Sequence, residues 1–122
     1  MSCSSVDFVL FIFTLSAISP HHHSRVLEKA LLLLKPGGHL LIRDYGLYDM
    51  VQMRCQHKIE DNWYMKADGV QCFFFSLEYI ENILADLSCK IVELKYCTIR
   101  NINRKKNMNI DRVFLYAVIQ KN

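Results

Sequence analysis

Glycine is scarce in this 122-residue chain: the four are Gly37, Gly38, Gly46 and Gly69, and no Gly-x-Gly pair precedes the first apolar run. No Cys-x-x-Cys pair occurs either, and the five cysteines (Cys3, Cys55, Cys72, Cys89 and Cys97) are odd in number. That arithmetic argues against a disulfide framework or a zinc site and for free thiols in a reducing, cytoplasmic compartment. The apolar run from Phe8 to Phe13 follows Asp7 and has no Lys or Arg ahead of it. It is far shorter than the roughly 20 residues a membrane span requires, so neither a signal peptide nor a membrane anchor is read there. Acidic residues thin out toward the end. From Thr98 onward Asp111 stands alone against Arg100, Arg104, Lys105, Lys106, Arg112 and Lys121, within a net charge of only +3. A block of like charge either faces water or meets phosphate.

What is present is apolar residues, at 52%, with 22% charged, which suits one folded α/β domain spanning 1–122. Val6 to Thr14 has no polar alternation and reads as a parallel strand buried on both faces. Ser19-Pro20 opens a helix carrying Val26, Leu27, Ala30, Leu31 and Leu34 on one face, which stops at Pro36-Gly37-Gly38. His39 to Arg43 is the next strand, closing a βαβ unit whose crossover is right-handed. Leu47 to Cys55 is read as a short helix. Trp63 to Phe75 forms a hairpin turning at Asp68-Gly69, and Ser76 caps a helix with Leu77, Ile80, Ile83, Leu84 and Leu87 on one face. Cys89 to Thr98 and Arg112 to Gln120 are the closing strands, joined by the basic Asn101 to Asp111 connection.

In open α/β sheets, ligands bind beyond the carboxyl ends of the strands, which places Arg43-Asp44-Tyr45-Gly46-Leu47-Tyr48-Asp49 at the expected active edge. His21-His22-His23 carries no such expectation. Consecutive histidines diverge around a helix and no acid or thiol adjoins them, so they read as a solvated first turn.

Strand, helix, Lys35-Pro36-Gly37-Gly38, strand, helix and two last strands resemble the C-terminal part of a Rossmann-like class I S-adenosylmethionine-dependent methyltransferase. Further motifs narrow the likeness: Ile12 to Pro20, Arg43 to Asp49 with Arg54, Asn62-Trp63-Tyr64 with Asp68-Gly69 and Phe74-Phe75, Asn103 to Lys106, and Arg112-Val113-Phe114. Together these resemble the methyltransferase-like enzymes that make 3-methylcytidine in the anticodon loop of tRNA. The resemblance implies a mixed sheet with an antiparallel closing hairpin. It also implies that the N-terminal cofactor-binding strands, with their glycine-rich loop and ribose-binding acid, are missing from these 122 residues. The strand at 8–13 then becomes a hydrophobic edge, which self-associates or aggregates.

The same resemblance implies roles. Methylation of N3 needs no general base, because the lone pair of neutral cytosine is free, but the product ring is cationic. A carboxylate aimed at the ring would stabilise the charge that develops, and Asp44 is the first candidate, followed by Asp49 and then Asp68. Ile12, Leu15 and Ser16 would abut the adenosine side of S-adenosylmethionine. Tyr45, Tyr48 and Tyr64 are candidates to stack on a splayed base, and Arg43, Arg54, Lys66, Arg104, Lys105 and Lys106 to meet the tRNA backbone. Three positions depart from the family pattern: Lys66 replaces a usual arginine, Val70-Gln71 a usual Thr-Arg, and Cys55 a usual phenylalanine. Losing a planar guanidinium fork weakens phosphate recognition. Some enzymes of this kind depend on an aminoacyl-tRNA synthetase, which adds a possible partner. The competing expectation is a non-catalytic fragment that binds tRNA or pairs with another subunit.

Overall fold

The computed structural model describes residues 5–103 and 108–122, with backbone alone for 101–103 and 108–111. Four strands form the main sheet in the order β1 (Val6–Ile12), β2 (Leu34–Tyr45), β7 (Met108–Lys121), β6 (Cys89–Asn103). β1 and β2 run parallel, whereas β2 with β7 and β7 with β6 run antiparallel, as expected of a mixed sheet with a closing hairpin. A second, three-stranded antiparallel sheet follows α2 (Met50–Arg54) and comprises β3 (His57–Glu60), β4 (Trp63–Met65) and β5 (Gln71–Phe73). No described helix is long and apolar enough to cross a membrane.

Between β1 and β2 the chain makes two 3-10 turns, Leu15–Ala17 and Pro20–His22, before α1 (His23–Leu33). The helix therefore begins later than Ser19-Pro20 suggested, and the Ser19 side chain caps nothing. The helix ends at Leu33, so Leu34 begins the next strand; Leu27, Ala30 and Leu31 are buried and meet Leu34, Leu40 and Ile42 of β2, Leu115, Ala117 and Ile119 of β7, and Ile80 and Leu84 of α3 (Leu77–Leu84). Helical spacing in α1 and α3 and two-residue alternation in β2 and β7 thus converge on one core on one side of the sheet. Ser76 caps α3 as expected, its hydroxyl accepting from the Tyr79 amide at 3.1 Å.

β1 is a correction. It lies at the sheet edge, as the resemblance implied, but it is not buried on both faces: Val9 and Phe11 pack against the core, whereas Phe8, Leu10 and Ile12 are exposed by 65%, 59% and 57%. No described element covers that second face, so strand character alone overstated its burial. β6 and β7 also pair beyond the expected strands, out to Asn103 with Met108.

The Pro36-Gly37-Gly38 segment lies where the β1–β2 register slips between Val6 with Leu34 and Phe8 with His39. Gly37 has φ +84, and a Cβ on Gly38 would sit 2.9 Å from both the Asp7 and Lys35 carbonyl oxygens. Backbone oxygens cannot swing aside as a side-chain tip does. Gly38→Ala is therefore expected to destabilise the chain by about 1–3 kcal/mol, read as a lower urea midpoint with unchanged slope.

Candidate functional site at the carboxyl ends of the parallel strands

β1 and β2 both end at one rim of the sheet. The Phe13 amide donates to the Arg43 carbonyl at 2.8 Å, and Phe13 itself takes a φ of 51, uncommon for a bulky residue. From there the Leu15–Ala17 turn folds back over β2. Asp44 fastens it: one carboxylate oxygen accepts from the Ser16 amide at 2.9 Å and the other from the Tyr45 amide at 2.8 Å. Asp44 is fully buried, and burial pushes its carboxyl above the usual range, opposed by the Ser16 hydroxyl and the amides that donate to it. Desolvation is the largest influence and outweighs those bonds, because a fully buried carboxylate has lost its water.

Asp49 is equally sealed. Its carboxylate accepts from the Val51 amide at 3.1 Å, capping α2, and from the Arg112 Nε at 3.0 Å and the Val113 amide at 2.7 Å. Neither acid expected to face a base presents an oxygen to solvent. Each instead uses its lone pairs to join separate strands: Asp44 ties β2 to the turn after β1, and Asp49 ties α2 to β7.

The expected cofactor residues divide. Ile12 is exposed on the open face of β1, whereas Leu15 lies in the core and Ser16 is buried against Asp44. Their backbone, rather than their side chains, forms the rim. Alternation places Arg43 on the face opposite Asp44, exposed, with its guanidinium 5.3 Å from the centre of the Phe114 ring; Arg112 lies 4.9 Å from the same ring. Tyr45 is half-buried against Phe13 and Phe74.

Arg54 and Lys66 come together. They line one cleft of ≈ 830 Å³ between α2 and the β3–β4 hairpin, with Met50, Val51, Met65 and His57. Lys66 is held near the turn by Asp68 at 3.8 Å, and Asp68 accepts from the Val70 amide at 3.0 Å, the turn-forming role its Asp-Gly context suggests. Gly69 has φ +85 there. Tyr64 is half-buried, its hydroxyl accepting from Gln52 Nε2 at 3.4 Å. Cys55 also lines the cleft, but burial raises its thiol, and that of buried Cys72 is pushed up to about 12, so neither is an activated nucleophile. Arg104, Lys105 and Lys106 lie outside the described residues.

Two residues escape sequence reasoning. Gln52 is buried and accepts from the Tyr48 amide at 2.6 Å, holding Tyr48 at φ 68 with its side chain largely in solvent. The available signal was the Asp49-x-x-Gln52 spacing, in which an N-cap acid is followed three residues later by a glutamine that reaches back to an amide before the helix. His23 is fully buried, unlike exposed His21 and His22, so the reading of all three as a solvated turn fails at the third.

Residues 4–94 match the model of a methyltransferase domain. The chain belongs to that family. It is 39% identical over 122 residues to O-methyltransferase 3 of Dictyostelium discoideum, covering 97% of this chain and 28% of that protein. To human tRNA N(3)-cytidine methyltransferase METTL6 it is 35% identical over 119 residues, covering 96% of this chain and 42% of that protein. The chain thus spans less than half the length of these curated relatives. A S-adenosylmethionine-dependent methyltransferase from Methanosarcina mazei superposes with a TM-score of 0.74 at 19% identity, covering 98% of this chain and 61% of that one. The shared fold is that of these methyltransferases.

For S-adenosylmethionine, the residues present offer one wall. The backbone of the Leu15–Ala17 turn and exposed Ile12 can flank an adenosine, but Asp44 and Asp49 are already engaged by donors, leaving neither free to accept ribose hydroxyls.

Proposed function

We propose that this chain is the C-terminal half of a tRNA methyltransferase acting on cytidine N3 in the anticodon loop, and that it supplies mainly the substrate side. The observation that carries this reading is the cleft in which Arg54, His57 and Lys66 border an apolar floor of Met50, Val51 and Met65, beside the strand rim. Cations with apolar surface match what a single-stranded RNA loop offers, phosphates and unstacked bases. S-adenosylmethionine, when bound, supplies an electrophilic methyl group, which N3 attacks through its own lone pair. The residues here orient. Exposed Tyr48, held by Gln52, offers a ring on which a splayed base can stack. Asp44 and Asp49 act as positioning residues for that rim, since both carboxylates are enclosed.

An oxygen acceptor, as the name of the Dictyostelium relative implies for that protein, would require a group to remove a hydroxyl proton. The two rim carboxylates are enclosed and the nearby thiols are raised, which leaves His57 of the cleft for that role, whereas cytidine N3 needs no such group. We further assign self-association to the exposed edge of β1; a synthetase would be an additional partner of the larger enzyme.

The test is tRNA binding by the 122-residue chain against salt, with an Arg54→Ala, Lys66→Ala double variant. Affinity is expected to fall about tenfold, and the slope of log K against log salt to decrease by about two, because two phosphate contacts are lost. An unchanged slope rules this cleft out as the RNA site. Calorimetry with S-adenosylmethionine separates the readings of the chain itself: saturable binding marks it as cofactor-competent, and its absence alongside tRNA binding marks a binding module.

A further inference from the structure

His23 makes more contacts than packing requires. Its Nε2 lies 2.8 Å from the Leu15 carbonyl oxygen and 2.9 Å from that of Ile18, and its Nδ1 lies 2.8 Å from the Tyr79 hydroxyl. Two carbonyls can only accept, so Nε2 carries the proton and is shared between them; Nδ1 then accepts from the Tyr79 O–H. Phe73, Phe75 and Tyr79 surround the ring at 5.2, 5.3 and 5.8 Å between centres. The two carbonyls bracket the 3-10 turn that ends β1. On its other side that turn donates the Ser16 amide to Asp44. The turn is therefore gripped twice, by a histidine from α1 and by a carboxylate from β2.

We propose that His23 is a positioning residue for the cofactor-facing turn, setting the Leu15-Ser16 backbone against Asp44 through its neutral, Nε2-protonated ring. The proposal rests on the reading that this turn flanks the cofactor. The ring's uncharged state is part of the device. Protonation would place a second N–H against the Tyr79 oxygen and a charge among three aromatic rings. The groups facing it are Tyr79 from α3, the carbonyls of the turn and His22 beside it, with Asp44 reached only through Ser16. Phe73 and Phe75 of β5 bring no charge. Burial lowers the His23 pKa below 6.5, with weaker opposition from the two carbonyls. A histidine depressed in the folded state contributes stability that is complete above the unfolded pKa and is lost as pH falls through the folded one. The folded chain should therefore lose stability in acid through the cost of burying a charged ring, while Nε2–H still donates to both carbonyls.

Amide hydrogen exchange of the full chain, followed residue by residue, is the test, with His23→Phe (a somewhat larger aromatic ring, no donor) and His23→Gln (an N–H donor retained). We expect the phenylalanine variant to speed exchange at Ser16 and Ile18 by about tenfold while Leu40 and Ile42 in β2 are unchanged, and glutamine to restore much of the protection. S-adenosylhomocysteine binding should weaken in the same order. Unchanged turn exchange in His23→Phe overturns the proposal; so does equal acceleration throughout, which would mean a purely structural role. If the wild-type chain binds no S-adenosylhomocysteine, the cofactor reading of this chain fails, yet the exchange result still decides whether His23 grips the turn. Should the phenylalanine variant not fold, His23→Ala decides instead: exchange at Ser16 and Ile18 must rise selectively over Leu40 and Ile42, and a uniform rise or none overturns the proposal.

Discussion

Asp49→Ala is expected to destabilise the chain by about 3–5 kcal/mol, enough to unfold much of it at room temperature, because small domains have only about 5–15 kcal/mol in all. The carboxylate is fully buried and serves the Val51 amide, the Val113 amide and Arg112 Nε together. Alanine would leave amide donors without an acceptor and a partly buried guanidinium without its counter-charge, and orphaned donors cost more than the bonds themselves return. Asp49→Asn keeps an acceptor oxygen of similar shape and should cost markedly less. Urea titrations of both variants check this. An alanine variant within about 1 kcal/mol of wild type would show that Asp49 does not join α2 to β7, and would reopen a direct role for it at the substrate.

The second large effect concerns association. β1 is an edge strand with Phe8, Leu10 and Ile12 exposed on one face. Unpaired edge amides combined with an apolar flank form a template for another strand. Purified wild-type chain is therefore expected to self-associate with rising concentration in analytical ultracentrifugation. Leu10→Lys should leave it monomeric over the same range, since an edge lysine cannot be covered without losing its hydration. Its thermal midpoint should hardly move, because Leu10 makes little core contact, whereas Val9→Lys, one residue away on the packed face, should prevent folding. A wild-type chain that stays monomeric throughout, or a Leu10→Lys chain that associates equally, would show that the edge is not the contact.

Local chemistry made much of this fold legible. Helical spacing in α1 and α3, the Ser76 cap, the Asp68-Gly69 turn and the alternation in β7 each reflect forces acting within a few residues, so they appear in the structure much as the spacing predicts. The position of the rim was legible too, because Arg43 to Tyr45 ends a parallel strand. Where reading failed, a distant partner decided. Phe8, Leu10 and Ile12 look like core, but whether an apolar strand is covered depends on which element packs over it, and none described here does. The polar stretch leading to Asn103 resembles a loop yet continues β6, because ladder hydrogen bonds join backbone groups and ask nothing of the side chains. His23 shares its sequence neighbourhood with two exposed histidines; only the carbonyls of Leu15 and Ile18 and the hydroxyl of Tyr79, brought in by the fold, give it partners.

The sequence by itself determined the family likeness, the order of the elements apart from β3 and the two 3-10 turns, and the placing of Arg43 to Asp49 at the carboxyl end of a strand, because these rest on residue types and short spacings. Only the tertiary structure decided what those residues do there. Burial and hydrogen bonding depend on groups many positions apart, such as Asp44 with Ser16 and Asp49 with Val113. Those long-range bonds turn two acids that look exposed and reactive into enclosed fasteners of the rim.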